Sequence, residues 1–130
     1  MQVSVILAHP NRQSFNHAIA QTAIAQLRQN GHQVAFHDLY AEEFDPILPL
    51  GEIPKEASVF KEVERHCQEI SSTDGIIIVH PNWWGQPPAI LKGWVDRVRS
   101  GEVERSGGCK SLWSGGKLPE FRTKELDGKV

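Results

Sequence analysis

Cysteine is scarce: only Cys67 and Cys109 occur in 130 residues, and neither stands in a CxxC or in metal-ligand spacing. That excludes a disulfide-stapled scaffold and a thiolate metal knuckle, and makes a reducing, cytoplasmic setting the default. Long apolar runs are absent too. None outlasts Ile76–Val79, far short of the roughly 20 residues that a membrane span needs; no membrane insertion is expected. No basic patch precedes an apolar stretch at the N-terminus, so it does not read as a signal peptide. The net charge is only −2, which gives no electrostatic footprint for nucleic acid or for an acidic membrane surface. The Gly-rich dinucleotide fingerprint and the P-loop lysine pattern are both missing.

What is present is ordinary in bulk, 39% apolar and 23% charged, and long enough for one domain but not two. Val3 to Ala8 reads as a buried strand. His9 to Gln13 is a polar loop, and Ser14 is a candidate helix N-cap, since its hydroxyl can accept a first-turn N–H. From Phe15 the apolar residues recur at helical spacing (Phe15, Ala18, Ile19, Ala23, Leu27), until Asn30-Gly31 ends the helix. Gln33 to Leu39 is a second strand with a break at His37-Asp38. Tyr40 to Pro54 is a long loop of the kind that often carries function. Glu56 to Ile70 shows a second helical stripe, and Gly75 to Val79 is the clearest buried parallel strand. His80 to Pro88 is a loop holding two adjacent tryptophans. A last helix begins near Pro88, with Ile90, Leu91, Trp94, Val95 and Val98 on one face.

Strand, helix, strand, helix, strand, helix implies parallel strands joined by right-handed crossovers. Ligands of such sheets lie beyond the strand C-termini, where the strand order reverses. Two loops should meet there. The first opens a helix whose N–H groups and dipole attract anions, with Ser14, Asn16, Arg12 and His9 at hand, so a phosphate or pyrophosphate would sit well; a capped helix facing water is the plainer alternative. The second holds Trp83 and Trp84, which cannot both enter one core, so at least one should be exposed in a crevice where it can line a flat ring. The alternative is a rim residue closing the core. Trp94 and Cys67 are expected in the core. His17, His32, His37 and His66 are expected to be solvated or structural, while His9 and His80, at the strand ends, have the better claim to function. No serine–histidine–acid set stands out.

The segments Ala8-His9-Pro10-Asn11-Arg12-Gln13-Ser14-Phe15-Asn16 and His80-Pro81-Asn82-Trp83-Trp84-Gly85, with Pro88-Ala89-Ile90-Leu91-Lys92-Gly93-Trp94-Val95-Asp96-Arg97-Val98, resemble the flavodoxin-like NAD(P)H:quinone oxidoreductases. The resemblance covers residues 1–98. It implies an α/β, three-layer flavodoxin-like sandwich with a parallel sheet that lacks its last strands. It implies that His9, Ser14, Phe15 and Asn16 hold the phosphate end of FAD or FMN, and that Pro81, Asn82, Trp83, Trp84 and Gly85 lie along the ring. NAD(P)H would be the hydride donor and a quinone the acceptor, in a homodimer. The resemblance also admits an ancillary subunit of a potassium-efflux system, or an inactive short homologue. It assigns no catalytic side chain. Residues 99–130, rich in Gly and charge, are set apart as an atypical tail, disorder being one reading of it.

Overall fold

From Val3 to Ala8 every residue is buried, as in a central parallel strand covered on both faces. In the computed structural model, which describes residues 1–52 and 60–100 (the side chains of 99 and 100 excepted), this segment is β1, Gln2–Leu7. It lies between β2, Gln33–Asp38, and β3, Gly75–Val79, with all pairings parallel and the order β2-β1-β3. Val5 stands opposite both Phe36 and Ile77, and Leu7 opposite both Asp38 and Val79. The three strand C-termini therefore end level.

The period of two along β1 sends its side chains into two separate cores. Val5 and Leu7 pack with Ala20 and Ile24 of α1 (Phe15–Gln29) and with Val79. Ile6 and Ala8 pack on the other face with Val63, Cys67 and Ile70 of α2 (Lys61–Ser71), and with Leu91, Trp94 and Val98 of α3 (Ala89–Ser100). Burying each such aliphatic side chain is worth roughly 1.5–3 kcal/mol. One helix on one face and two on the other make three layers. The crossover through α1 leads from β1 to β2, and the crossover through α2 leads back past β1 to β3. The strand order therefore reverses between β1 and β3.

Several expectations hold locally. Ser14 caps α1, its hydroxyl accepting the His17 N–H at 3.3 Å, and Gly31 follows the helix at φ +81°. Others need correction. The second helix starts at Lys61 rather than Glu56, because Phe60 has extended backbone at its N-cap; residues 53–59 lie outside the described residues. β2 does not break at His37-Asp38, because both polar side chains find partners. His37 bonds Glu42 and Glu69, and Asp38 pairs with His17 and accepts the Ala41 N–H. The described part of the long loop, up to Glu52, packs against the helices. Phe44 is 2% exposed and enters the α2–α3 core. Arg97 of α3 holds both Glu52 oxygens, at 2.8 and 3.1 Å, and the Asp45 carbonyl at 2.7 Å. Pro46 lies so close to Gly93 that any Cβ there would collide with its backbone. The third helix continues past Val98 to Ser100, and residues 101–130 lie outside the described residues.

Candidate functional site

The loops after β1 and β3 leave adjacent strands, tied at their roots by the Ala8 N–H bonding the Val79 carbonyl at 2.9 Å. In the first loop, His9 Nδ1 accepts the Asn11 N–H at 3.0 Å, and the Asn11 carboxamide accepts the Gln13 N–H at 2.9 Å. These short bonds set the loop's path and deliver Ser14 to the head of α1. Ser14 satisfies the His17 amide, while the amides of Phe15 and Asn16 have no internal acceptor among the described residues, as expected for a helix start. No acidic side chain stands in the first turn, so nothing there opposes an anion.

The second loop is a tight hairpin. Trp83 and Gln86 exchange both backbone hydrogen bonds at 3.0 Å around Trp84 (φ +57°) and Gly85 (φ +75°). Two central residues at positive φ are the pattern of a type I′ turn. Gly85 adopts it freely; Trp84 does so at a cost of roughly 1–2 kcal/mol. The turn holds Trp84 fully in solvent, at 101% exposure, and Trp83 at 43%. Phe15, at the head of α1, is 76% exposed.

The two loops meet through His9. Its ring stands edge-on to Trp83, with centroids 5.9 Å apart, and edge-on to His17 at 6.4 Å. His9, Ser14 and Trp83 are thus linked across one rim, with Phe15 and Asn16 following Ser14 and Pro81, Asn82, Trp84 and Gly85 flanking Trp83 along the same loops. His80 does not join the ring contacts: its Nδ1 donates to the Pro81 carbonyl at 2.8 Å and the residue is exposed.

Ser14, His17 and Asp38, which the sequence does not mark as a set, form a hydrogen-bonded chain. Ser14 Oγ lies 3.1 Å from His17 Nδ1, and His17 Nε2 lies 3.2 Å from Asp38 Oδ2. The signal was available in part: a serine N-cap and a histidine three residues on share a helix end. The missing part was that Asp38 closes the neighbouring strand.

A second histidine cluster lies between β2, α2 and α3. His37, Glu42 and His66 place ligand-type atoms within 4.8 Å of one another, which raises the question of a metal. The Trp94 indole argues against one. Its N–H donates to His66 Nδ1 at 3.0 Å, and an indole nitrogen can only donate. Neutral His66 must then carry its proton on Nε2, the atom that would ligate. That N–H faces Glu42 Oε2 at 3.1 Å, though off the line of a good hydrogen bond. His37 sits between Glu42 (3.1 Å) and Glu69 (2.6 Å). Burial disfavours its charge, but the hydrogen bonds and charges of Glu42 and Glu69 outweigh burial and raise its pKa above 6.5. Burial likewise opposes the Glu42 carboxylate, yet its bond to His37 and the close His66 ring pull its pKa down to about 2. The cluster is a proton-filled tie among three elements.

This architecture has known relatives. The chain is 33% identical to the NAD(P)H dehydrogenase [quinone] 1 of Cavia porcellus, over 75% of this chain and 42% of that protein. It is 39% identical to an uncharacterized NAD(P)H oxidoreductase of Haemophilus influenzae, over 74% and 49%. The solved NAD(P)H:quinone oxidoreductase of Methanothermobacter marburgensis superposes with a TM-score of 0.69 at 30% identity, covering 75% of this chain and 52% of that one. The chain thus spans about half the length of these relatives, or less. A family model described as flavodoxin-like fold matches residues 1–118, past the Val98 limit of the resemblance. With that match over a β2-β1-β3 parallel sheet, the chain belongs to the flavodoxin-like fold family.

Proposed function

We propose that this chain forms the flavin-binding part of an oxidoreductase that takes hydride from NAD(P)H and delivers electrons to a quinone. The observation that carries this is the pairing, on one rim, of an unopposed helix start with an exposed tryptophan hairpin, joined by the His9–Trp83 ring contact. The residues fit such a group at both ends. The free amides of Phe15 and Asn16, with Ser14 and His9 beside them, suit the phosphate of FMN or the pyrophosphate of FAD. The backbone of Pro81, Asn82 and Gly85, with the faces of Trp83 and Trp84, suits the flat ring. Bound flavin supplies the two-electron chemistry. The protein's share is to anchor the anion, orient the ring and keep water from one of its faces. No side-chain acid or base is required of the described residues.

A homodimer belongs to the same reading, since Phe15 and Trp84 leave large apolar area uncovered. So does a cytoplasmic setting, in keeping with the Cys67 thiol donating to the Val98 carbonyl. Among the described residues no helix is long and apolar enough to cross a membrane.

The test is titration of the purified chain with FMN and with FAD, followed by NADH- or NADPH-dependent reduction of menadione. Saturable binding of at least one flavin, and quinone-dependent oxidation of the nicotinamide, are expected. A protein that binds neither flavin removes the proposal. Binding without turnover restricts it to the flavin site.

A further inference from the structure

Resting on the flavin reading above, we propose that His17 and Asp38 are positioning residues that couple anion binding at Ser14 to the uptake of one proton by His17. The inference comes from the direction of the hydrogen bonds in the Ser14–His17–Asp38 chain. A carboxylate can only accept, so His17 carries its proton on Nε2, facing Asp38 Oδ2 at 3.2 Å. In the neutral ring Nδ1 is then a lone pair, and the Ser14 hydroxyl hydrogen turns inward to it at 3.1 Å. The same oxygen already accepts the His17 N–H.

In this state Ser14 has no hydrogen left for an anion. A phosphate oxygen meeting Ser14 would face lone pairs, which repel it. Relief requires the hydroxyl to rotate and point its hydrogen outward, and that strips His17 Nδ1 of its donor. A proton from solvent then completes the imidazolium. Asp38 is in place to stabilise that charge, and the ligand anion adds to it. The groups facing His17 are Asp38 from β2 and Ser14 and His9 from the first loop. His17 is only 7% exposed, so its charge is held close to both anions. Without the proton, a buried nitrogen would be left unpaired.

The experiment is calorimetric titration of the full chain with FMN at about pH 8, where its phosphate is already a dianion, in buffers of different ionisation enthalpy. Uptake of about one proton per FMN is expected. His17→Gln preserves a donor to Asp38 but has no nitrogen to titrate. It should bind FMN with no uptake, which also distinguishes His17 from its neighbour His9. Should His17→Gln not fold, the wild-type affinity alone decides: it should weaken close to tenfold per pH unit above neutrality. FMN binding without uptake, equal uptake by His17→Gln, or a flat affinity between about pH 7 and 9 each overturns the coupling while leaving the flavin reading intact. Failure of the wild type to bind FMN or FAD overturns both.

Discussion

Two regions of this molecule are rich in histidine and tryptophan, and they treat them in opposite ways. Beneath α2 and α3, His37, His66 and Trp94 are buried, and their polar atoms face one another or Glu42 and Glu69. On the rim above β1 and β3, Trp83, Trp84 and Phe15 are exposed, and one of them occupies strained backbone. The first arrangement ties most of its polar atoms together where water cannot reach, with His66 Nε2 and Glu42 Oε2 in contact at 3.1 Å but poorly aligned. The second leaves apolar groups where only water covers them, which a fold alone gives no reason to do. The contrast separates structure from function better than residue type does.

The most severe way to break the buried side is Arg97→Ala. Glu52, 4% exposed, would lose its partner, and a buried charge left alone costs about 3–5 kcal/mol. Urea denaturation should report that loss or outright failure to fold. Gly93→Ala comes next. Its Cβ would drive the Pro46 segment off α3, and overpacking of this kind costs about 1–3 kcal/mol.

The histidine tie should give stability a pH window. The pKa of His37 is raised on folding, so its contribution is full below about 6.5 and fades as pH rises through the folded value. That of Glu42 is lowered, so its contribution is full above about 4.5 and fades as pH falls through about 2. Stability against denaturant should therefore peak between those limits and decline on either side. His37→Gln should flatten the alkaline decline.

On the rim the same kind of change should act in reverse. Trp84→Gly removes the left-handed strain and should raise stability by about 1 kcal/mol, while weakening flavin binding. If it weakens stability instead, Trp84 is a structural residue and the contrast between the regions fails.

The layered α/β order, the cap at Ser14 and the burial of Trp94 and Cys67 were legible in the sequence, because apolar period and cap chemistry act over a few residues. The corrections have a common cause. His37-Asp38 looks like a strand break because the partners that allow it to stay in the strand, Glu69 and His17, are distant in sequence. The anchors of the loop after β2, Gly93 and Arg97, could not be read beside it because they lie far along the chain. The Ser14–His17–Asp38 chain was hidden for the same reason. Both halves of the rim and their meeting beyond β1 and β3 were legible; the His9–Trp83 ring contact that joins them was not.

The measurement that bears most directly on this account is flavin binding to the wild-type chain and to Trp83→Ala, followed by quenching of flavin fluorescence on titration. The wild type should saturate, and Trp83→Ala should bind about tenfold more weakly, the scale of one lost aromatic contact, with its unfolding midpoint unchanged. Equal affinity in the two proteins, or no binding by either, would contradict the assignment of this rim to a flavin.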